Sequence, residues 1–208
     1  MFITFEGPDG SGKTSQVAPL AQHLQKEGYS VLITREPGGT QIGDQVRTVL
    51  FDLENVAMHP RTETLLFLAS RAQLVEEVIR PHLQKDGIVL SDRFADSTLA
   101  YQGFGHGNNL EQLRCLLEFA TGALSPDLTL LFDVEVETGL RRREKGGDWN
   151  RLDAYDLAFH QRVRAGYHRL AAEKPDRWIT INAEQPPELV QAAVRNVVME
   201  RLGVKRKT

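Results

Sequence analysis

With one cysteine, Cys115, the 208-residue chain has no internal disulfide to close. The residue lies in the apolar run Leu113 to Phe119, so a buried, inert thiol is expected there rather than a nucleophile. Long hydrophobic stretches are missing, and the opening Met1-Phe2-Ile3-Thr4-Phe5 has no basic leader ahead of an apolar core. Neither a membrane span nor a secretory signal is expected, and a cytoplasmic protein fits. An excess of positive charge is also absent: 25 Lys and Arg stand against 28 Asp and Glu, for a formal net charge of -3. Duplex nucleic acid is therefore not an expected partner, because binding its phosphate backbone calls for a basic face. The tail Lys205, Arg206 and Lys207 reads as a solvated end. No repeat, low-complexity tract or linker divides the chain, so residues 1–208 are expected to form one domain.

What is present is an alternation of short apolar runs and longer helical patterns. The expected strands are Phe2 to Glu6, Ser30 to Arg35, Ile88 to Ser91, Leu128 to Asp133 and Trp178 to Asn182. Their near-continuous apolar character suits strands covered on both faces. Helical spacing marks Val17 to Lys26, Thr62 to Leu83, Leu110 to Ala120, Val136 to Arg143, Asp153 to Ala172 and Pro187 to Leu202. The alternation predicts an α/β fold: a parallel five-stranded sheet of the P-loop NTPase type with helices on both faces. Ligands of such sheets bind beyond the carboxyl ends of the strands, and the motifs cluster there.

Gly7-Pro8-Asp9-Gly10-Ser11-Gly12-Lys13-Thr14 has the form GxxxxGK[ST], between an expected strand and an expected helix. Its glycines permit a loop whose backbone N–H groups surround an anion, and the helix start adds its dipole. Lys13 supplies a charge for the β and γ phosphates, and Thr14 a hydroxyl for Mg²⁺. No Asn-Lys-x-Asp reads a guanine, so a GTP-driven switch is disfavoured. Asp92-Arg93 ends the third strand, where the carboxylate suits Mg²⁺ and the guanidinium a phosphate. Arg35-Glu36-Pro37-Gly38-Gly39-Thr40 ends the second, and Arg47 follows on a helix. Phe67 and Arg71, four apart on a helix, pair a stacking ring with a hydrogen-bond donor. Ser97 with Tyr101, and Thr98 with Gln102, repeat that spacing; the Gln side chain has both the donor and the acceptor that an imide edge needs.

The ordered set Thr34-Arg35-Glu36-Pro37-Gly38-Gly39-Thr40, Leu65-Leu66-Phe67-Leu68-Ala69-Ser70-Arg71, Asp92-Arg93-Phe94 and Ala100-Tyr101-Gln102-Gly103 closely resembles bacterial thymidylate kinase over nearly the whole chain. The resemblance implies transfer of the γ-phosphoryl of ATP to dTMP with Mg²⁺, by a homodimer. It implies that Asp9 sits beside the sugar 3′-hydroxyl and the acceptor phosphate. By the same resemblance Phe67 stacks on thymine, Arg71 meets a thymine carbonyl, and Thr98 and Gln102 face the base edge. Tyr101 lies by the deoxyribose, Arg47 and Arg93 clamp the monophosphate, and Asp92 serves Mg²⁺. A short mobile lid is expected over about residues 141–152. Since the P-loop carries Gly10 where some members have an arginine, the lid is expected to bring one. Arg151 is the first candidate for that role and Arg143 the second. A different nucleoside or nucleotide kinase, or an ATP-dependent regulatory protein, is the competing reading.

Overall fold

The computed structural model describes residues 1–146 and 150–203. Gly147, Asp148 and Trp149 of the expected lid lie outside them, as does the basic tail at Lys205, Arg206 and Lys207. The elements run β1 (Phe2–Glu6), α1 (Lys13–Lys26), β2 (Val31–Arg35), α2 (Gln41–Phe51) and α3 (Pro60–Leu74). A π-helical segment (Val75–Ile79), α4 (Arg80–Leu83), β3 (Ile88–Asp92) and α5 (Ala95–Thr98) follow. A second π-helical segment (Leu99–Gly105), α6 (Leu110–Thr121), β4 (Leu128–Asp133) and α7 (Val136–Gly146) come next, and α8 (Leu157–Glu173), β5 (Trp178–Asn182) and α9 (Pro187–Arg201) complete the order.

All five strands are parallel, in the order β2-β3-β1-β4-β5. Successive side chains of a strand point to opposite faces, and here both faces are apolar. Ile3 and Phe5 of β1 enter a core with Leu20 and Leu24 of α1 and Val194 of α9. Phe2 and Val89 pack on the other side with Leu74, Ile79 and Phe94. In β4, Leu130 joins the first core and Leu131 a third one with Val163 and Tyr167 of α8. The register sets Asp92 opposite both Arg35 of β2 and Phe5 of β1, so the carboxyl ends of three strands finish level.

Helix boundaries follow local chemistry. Thr40, Asn109 and Asp156 each accept a backbone N–H three residues on and so cap α2, α6 and α8. The cap at Asp156 moves the start of α8 four residues past the expected Asp153. The single helix expected over Thr62 to Leu83 is three pieces, α3, a π-helical turn and α4. Cys115 is exposed, contrary to the buried thiol expected. Along α6 the buried positions are Leu113, Leu117, Ala120 and Thr121, and the helical period puts Cys115 off that stripe on the solvent side. No helix among the described residues is long and apolar enough to cross a membrane.

Candidate functional site

The loop from β1 to α1 takes left-handed backbone angles at Gly7 (φ 142°), Gly10 (71°) and Gly12 (82°), as an anion-cradling turn needs. A Cβ added at Gly10 would overlap the Gly139 carbonyl of α7, and one at Gly139 would overlap the Asp9 carbonyl. The loop and α7 thus meet backbone to backbone, and an arginine at position 10 has no room.

A cavity of about 530 Å³ opens at this loop, within the range of small-molecule sites. Asp9, Gly10, Gly12, Lys13 and Thr14 line it, with Arg35, Glu36, Arg47, Phe67 and Arg71. Asp92, Arg93, Ser97, Thr98, Tyr101 and Gln102 complete the expected set, and Arg142, Arg143 and Asn150 come from the lid region. Three elements far apart in sequence are brought together as the strand register requires. Gly7, Pro8, Ser11, Pro37 and Arg151 are not among the lining residues. Three of these five act through their carbonyls: Gly7 accepts from Arg93 Nη1 at 3.1 Å, Pro8 from Lys13 Nζ at 3.2 Å and Pro37 from Arg47 Nη1 at 2.9 Å.

Arg93 is the most heavily bonded group. Its backbone is left-handed (φ 72°) and its N–H donates to Phe5 O at 3.0 Å. A non-glycine residue there costs about 1 kcal/mol or more and persists only when its surroundings fix it. They do: Nη1 also donates to Ser97 Oγ and Tyr167 Oη at 3.0 Å each, and Nη2 to Asp9 Oδ1 at 2.6 Å and Tyr101 Oη at 3.1 Å. Tyr101 donates in turn to Asp9 Oδ2 at 2.6 Å. Burial works against the Asp9 charge, but Arg93 and Lys13 hold its carboxyl well below the usual range. Beneath them lies Glu6, whose Oε1 accepts from Phe94 N at 2.8 Å and whose Oε2 accepts from Ser97 at 2.6 Å and Tyr167 at 3.0 Å. Burial, helped by Asp96, raises the Glu6 carboxyl to about 7, against the pull of Arg93. Burial likewise lowers Lys13 to about 8, assisted by Arg93 and opposed by Asp92, Asp9 and Glu6.

Thr14 Oγ1 donates to Asp92 Oδ2 at 2.5 Å, and Asp92 Oδ1 is buried without a partner among the described residues. On the other wall, the 1% exposed Arg71 is fixed by Glu36 (Nε to Oε2, 2.8 Å), Thr98 Oγ1 (2.9 Å) and Phe94 O (3.0 Å). Burial pushes the Glu36 carboxyl up and the Arg71 charge opposes it. Glu63, also buried, gathers four donors. Gln102 Nε2 (2.8 Å) and His106 Nε2 (3.1 Å) meet its Oε1, and Arg151 Nη2 (2.5 Å) and Tyr155 Oη (3.2 Å) meet its Oε2. Burial alone would raise this carboxyl, but His106, Gln102 and Arg151 bring it down to about 2.

The lid arginines separate here. Arg151 is 6% exposed, bonded to Glu63, Leu50 O (3.1 Å) and Tyr155 Oη (3.0 Å), and turned away from the cavity lining. Arg151, the first candidate for the lid arginine, is thus absent from the cavity lining in this structure, and its charge is already matched by Glu63. Arg143 lines the cavity, and among the described residues only its Nε is engaged, donating to Asp153 at 3.1 and 3.2 Å. Glu6, Glu63, Tyr167 and Arg142 had not been singled out from sequence. Arg142 Nη1 donates to Ala183 O at 3.0 Å, tying α7 to the loop after β5.

The arrangement offers backbone and cationic groups for a polyphosphate, two oxygens for a divalent cation, and an aromatic, hydrogen-bonding wall for a base. Comparison with known proteins agrees with it. The family model described as thymidylate kinase matches residues 5–194. The chain is 54% identical to a thymidylate kinase of Thermomicrobium roseum, over 100% of this chain and 98% of that one. It is 49% identical to one of Roseiflexus castenholzii, covering 95% and 92% respectively. A crystal structure of thymidylate kinase from Ehrlichia chaffeensis superposes with a TM-score of 0.79 at 35% identity, over 95% of this chain and 98% of that one.

Proposed function

The chain belongs to the thymidylate kinase family, and we propose that the cavity at the β1–α1 loop holds ATP and dTMP together, with their phosphates meeting near Lys13. The enzyme is an ATP:dTMP phosphotransferase, producing dTDP and ADP in nucleotide biosynthesis. The observation that carries the proposed placement is that Lys13 and Thr14 share this cavity with Phe67, Arg71 and Gln102.

Phosphoryl transfer is chiefly positioning and charge stabilisation, and the residues divide accordingly. The loop 7–14 and Lys13 hold the ATP phosphates. Arg93, Arg47 and Arg35 face the acceptor phosphate, with Asp9 and Tyr101 beside the sugar. Phe67 stacks on thymine, Arg71 donates to a carbonyl, and Thr98 and Gln102 meet the base edge. Glu36 holds Arg71, Ser97 holds Arg93, and Pro37 shapes the turn that receives Arg47. Arg143 supplies the lid's positive charge to the moving phosphoryl group. The loop after β5, which Arg142 holds through the Ala183 carbonyl, is the proposed wall for adenine.

Thr14 and Asp92, with its unpartnered Oδ1, fit Mg²⁺, which takes one or two protein oxygens and completes its shell with phosphates and water. When bound, the ion neutralises charge on the phosphate oxygens.

Measuring ADP release with and without dTMP, and with dUMP, dCMP, AMP and thymidine as alternatives, tests the reading. Fast release that requires dTMP is expected; slow release indifferent to any acceptor would instead mark an ATP-dependent regulatory protein.

A homodimer is part of the proposal, in a cytoplasmic setting. The helices α3 and α6 pack side by side and expose Leu65 (58%), Leu116 (41%) and Phe119 (90%). Sedimentation velocity is expected to give a dimer for the wild type and a monomer for Phe119→Glu. Equal sedimentation of the two would place the contact elsewhere.

A further inference from the structure

We propose that Glu63 is the positioning residue that sets base selectivity, by holding the Gln102 carboxamide with its carbonyl oxygen toward the base. The inference rests on Gln102 being a base-edge reader and extends that reading to a residue outside the cavity lining.

A carboxamide is ambivalent, offering a donor and an acceptor that trade places when it rotates by half a turn. Gln102 cannot make that exchange here. Its Nε2 donates to Glu63 Oε1 at 2.8 Å, and a carboxylate only accepts. Everything else that faces Glu63 keeps it in that form. His106 caps the π-helical segment that carries Gln102, and Arg151 and Tyr155 come from the turn ahead of α8; their hydrogen bonds all suit an ionised carboxylate. With Nε2 held on the Glu63 side, Oε1 is the acceptor that Gln102 keeps for the cavity, since it accepts no hydrogen bond among the described residues. Across the same wall, Arg71 is a pure donor pinned by Glu36 and Thr98.

The edge presented to a base is thus one donor and one acceptor in a fixed order. Thymine and uracil match it with a carbonyl oxygen at position 4 and an N–H at position 3. Cytosine reverses both, with an amine at position 4 and a bare acceptor at N3. A site whose buried polar groups face like against like rejects the ligand strongly. Two carboxylates, Glu36 and Glu63, stand behind the two readers and keep the order from inverting.

The test is kcat/KM for dTMP, dUMP and dCMP in the wild type and in Glu63→Gln. The new carboxamide can donate to Gln102 as well as accept, so Gln102 is free to rotate. The dTMP:dCMP ratio is expected to fall about ten- to a hundredfold, mainly through KM, while the dTMP:dUMP ratio stays as in the wild type. Should Glu63→Gln fail to fold, Glu63→Asp is the measured variant. It keeps a charge for Arg151 but withdraws the oxygen from Gln102, and the same fall is expected. An unchanged dTMP:dCMP ratio in a folded variant overturns the proposal. Gln102→Ala separates the two levels: if it also leaves the ratio untouched, Gln102 does not read the base, and the underlying assignment fails. A lost ratio in Gln102→Ala with a preserved one in Glu63→Gln removes Glu63 alone.

Discussion

Lys13→Met is expected to lower kcat by about three orders of magnitude while leaving the fold intact. The two side chains are similar in length, and Lys13 is buried with its Nζ bonded to the Pro8 carbonyl. Methionine keeps the volume, so no cavity opens, and it removes a cation that burial already disfavours. What disappears is the positive charge at the loop, the term that transfer of a charged group depends on most. The wild type carries a matching pH signature. The Lys13 ammonium is the charged form below its pKa, and that pKa is lowered from 10.5 to about 8. The free enzyme's kcat/KM for ATP should therefore decline as pH rises through about 8, and Lys13→Met should lose that limb. Turnover within tenfold of wild type, measured by ADP release, would show that the loop does not grip the transferred phosphoryl.

The second large effect separates two arginines in the same segment. Arg143→Ala is expected to lower kcat by about two to three orders of magnitude with little change in KM for dTMP. Arg151→Ala should act on stability instead. It leaves Glu63, 1% exposed, without its cation, and breaking a buried pair from one side costs about 3–5 kcal/mol. For a chain of this size that corresponds to a fall in Tm of about 6–20 °C. Arg143 pairs with Asp153 from a side chain that is 26% exposed, so its removal should disturb Tm less. Melting curves and steady-state rates on both variants check the pair of expectations; a large loss of kcat confined to Arg151→Ala would return the lid role to that residue.

The phosphate loop was legible because its geometry is local: glycines at fixed spacing, then Lys13 and Thr14 on a helix start. The strands were legible to within a residue or so, since burial on both faces leaves continuous apolar runs. That Phe67, Arg71, Thr98 and Gln102 share one cavity was legible through the i, i+4 pairs and the family resemblance. The two carboxylate hubs were not. Glu6 reads as the end of a strand, and Glu63 as an ordinary acid in the first turn of a helix, where the dipole favours one anyway. Their meaning lies in partners such as Tyr167 and Arg151, 161 and 88 positions away, which one sequence does not pair. Cys115 misled for a different reason: an apolar run on a helix is not a buried run, because the period exposes every residue off the core stripe.

The touching glycines at positions 10 and 139 leave α7 no side chain to slide on. That helix cannot tilt at its N-terminal turn without levering the loop around Lys13. Any swing of the covering segment must hinge past residue 139, along the last stretch of about two turns that carries Arg142 and Arg143. The cation proposed for catalysis, Arg143, thus rides a short arm whose fulcrum is the glycine loop itself, so its sweep is registered to the phosphates that the proposal places there.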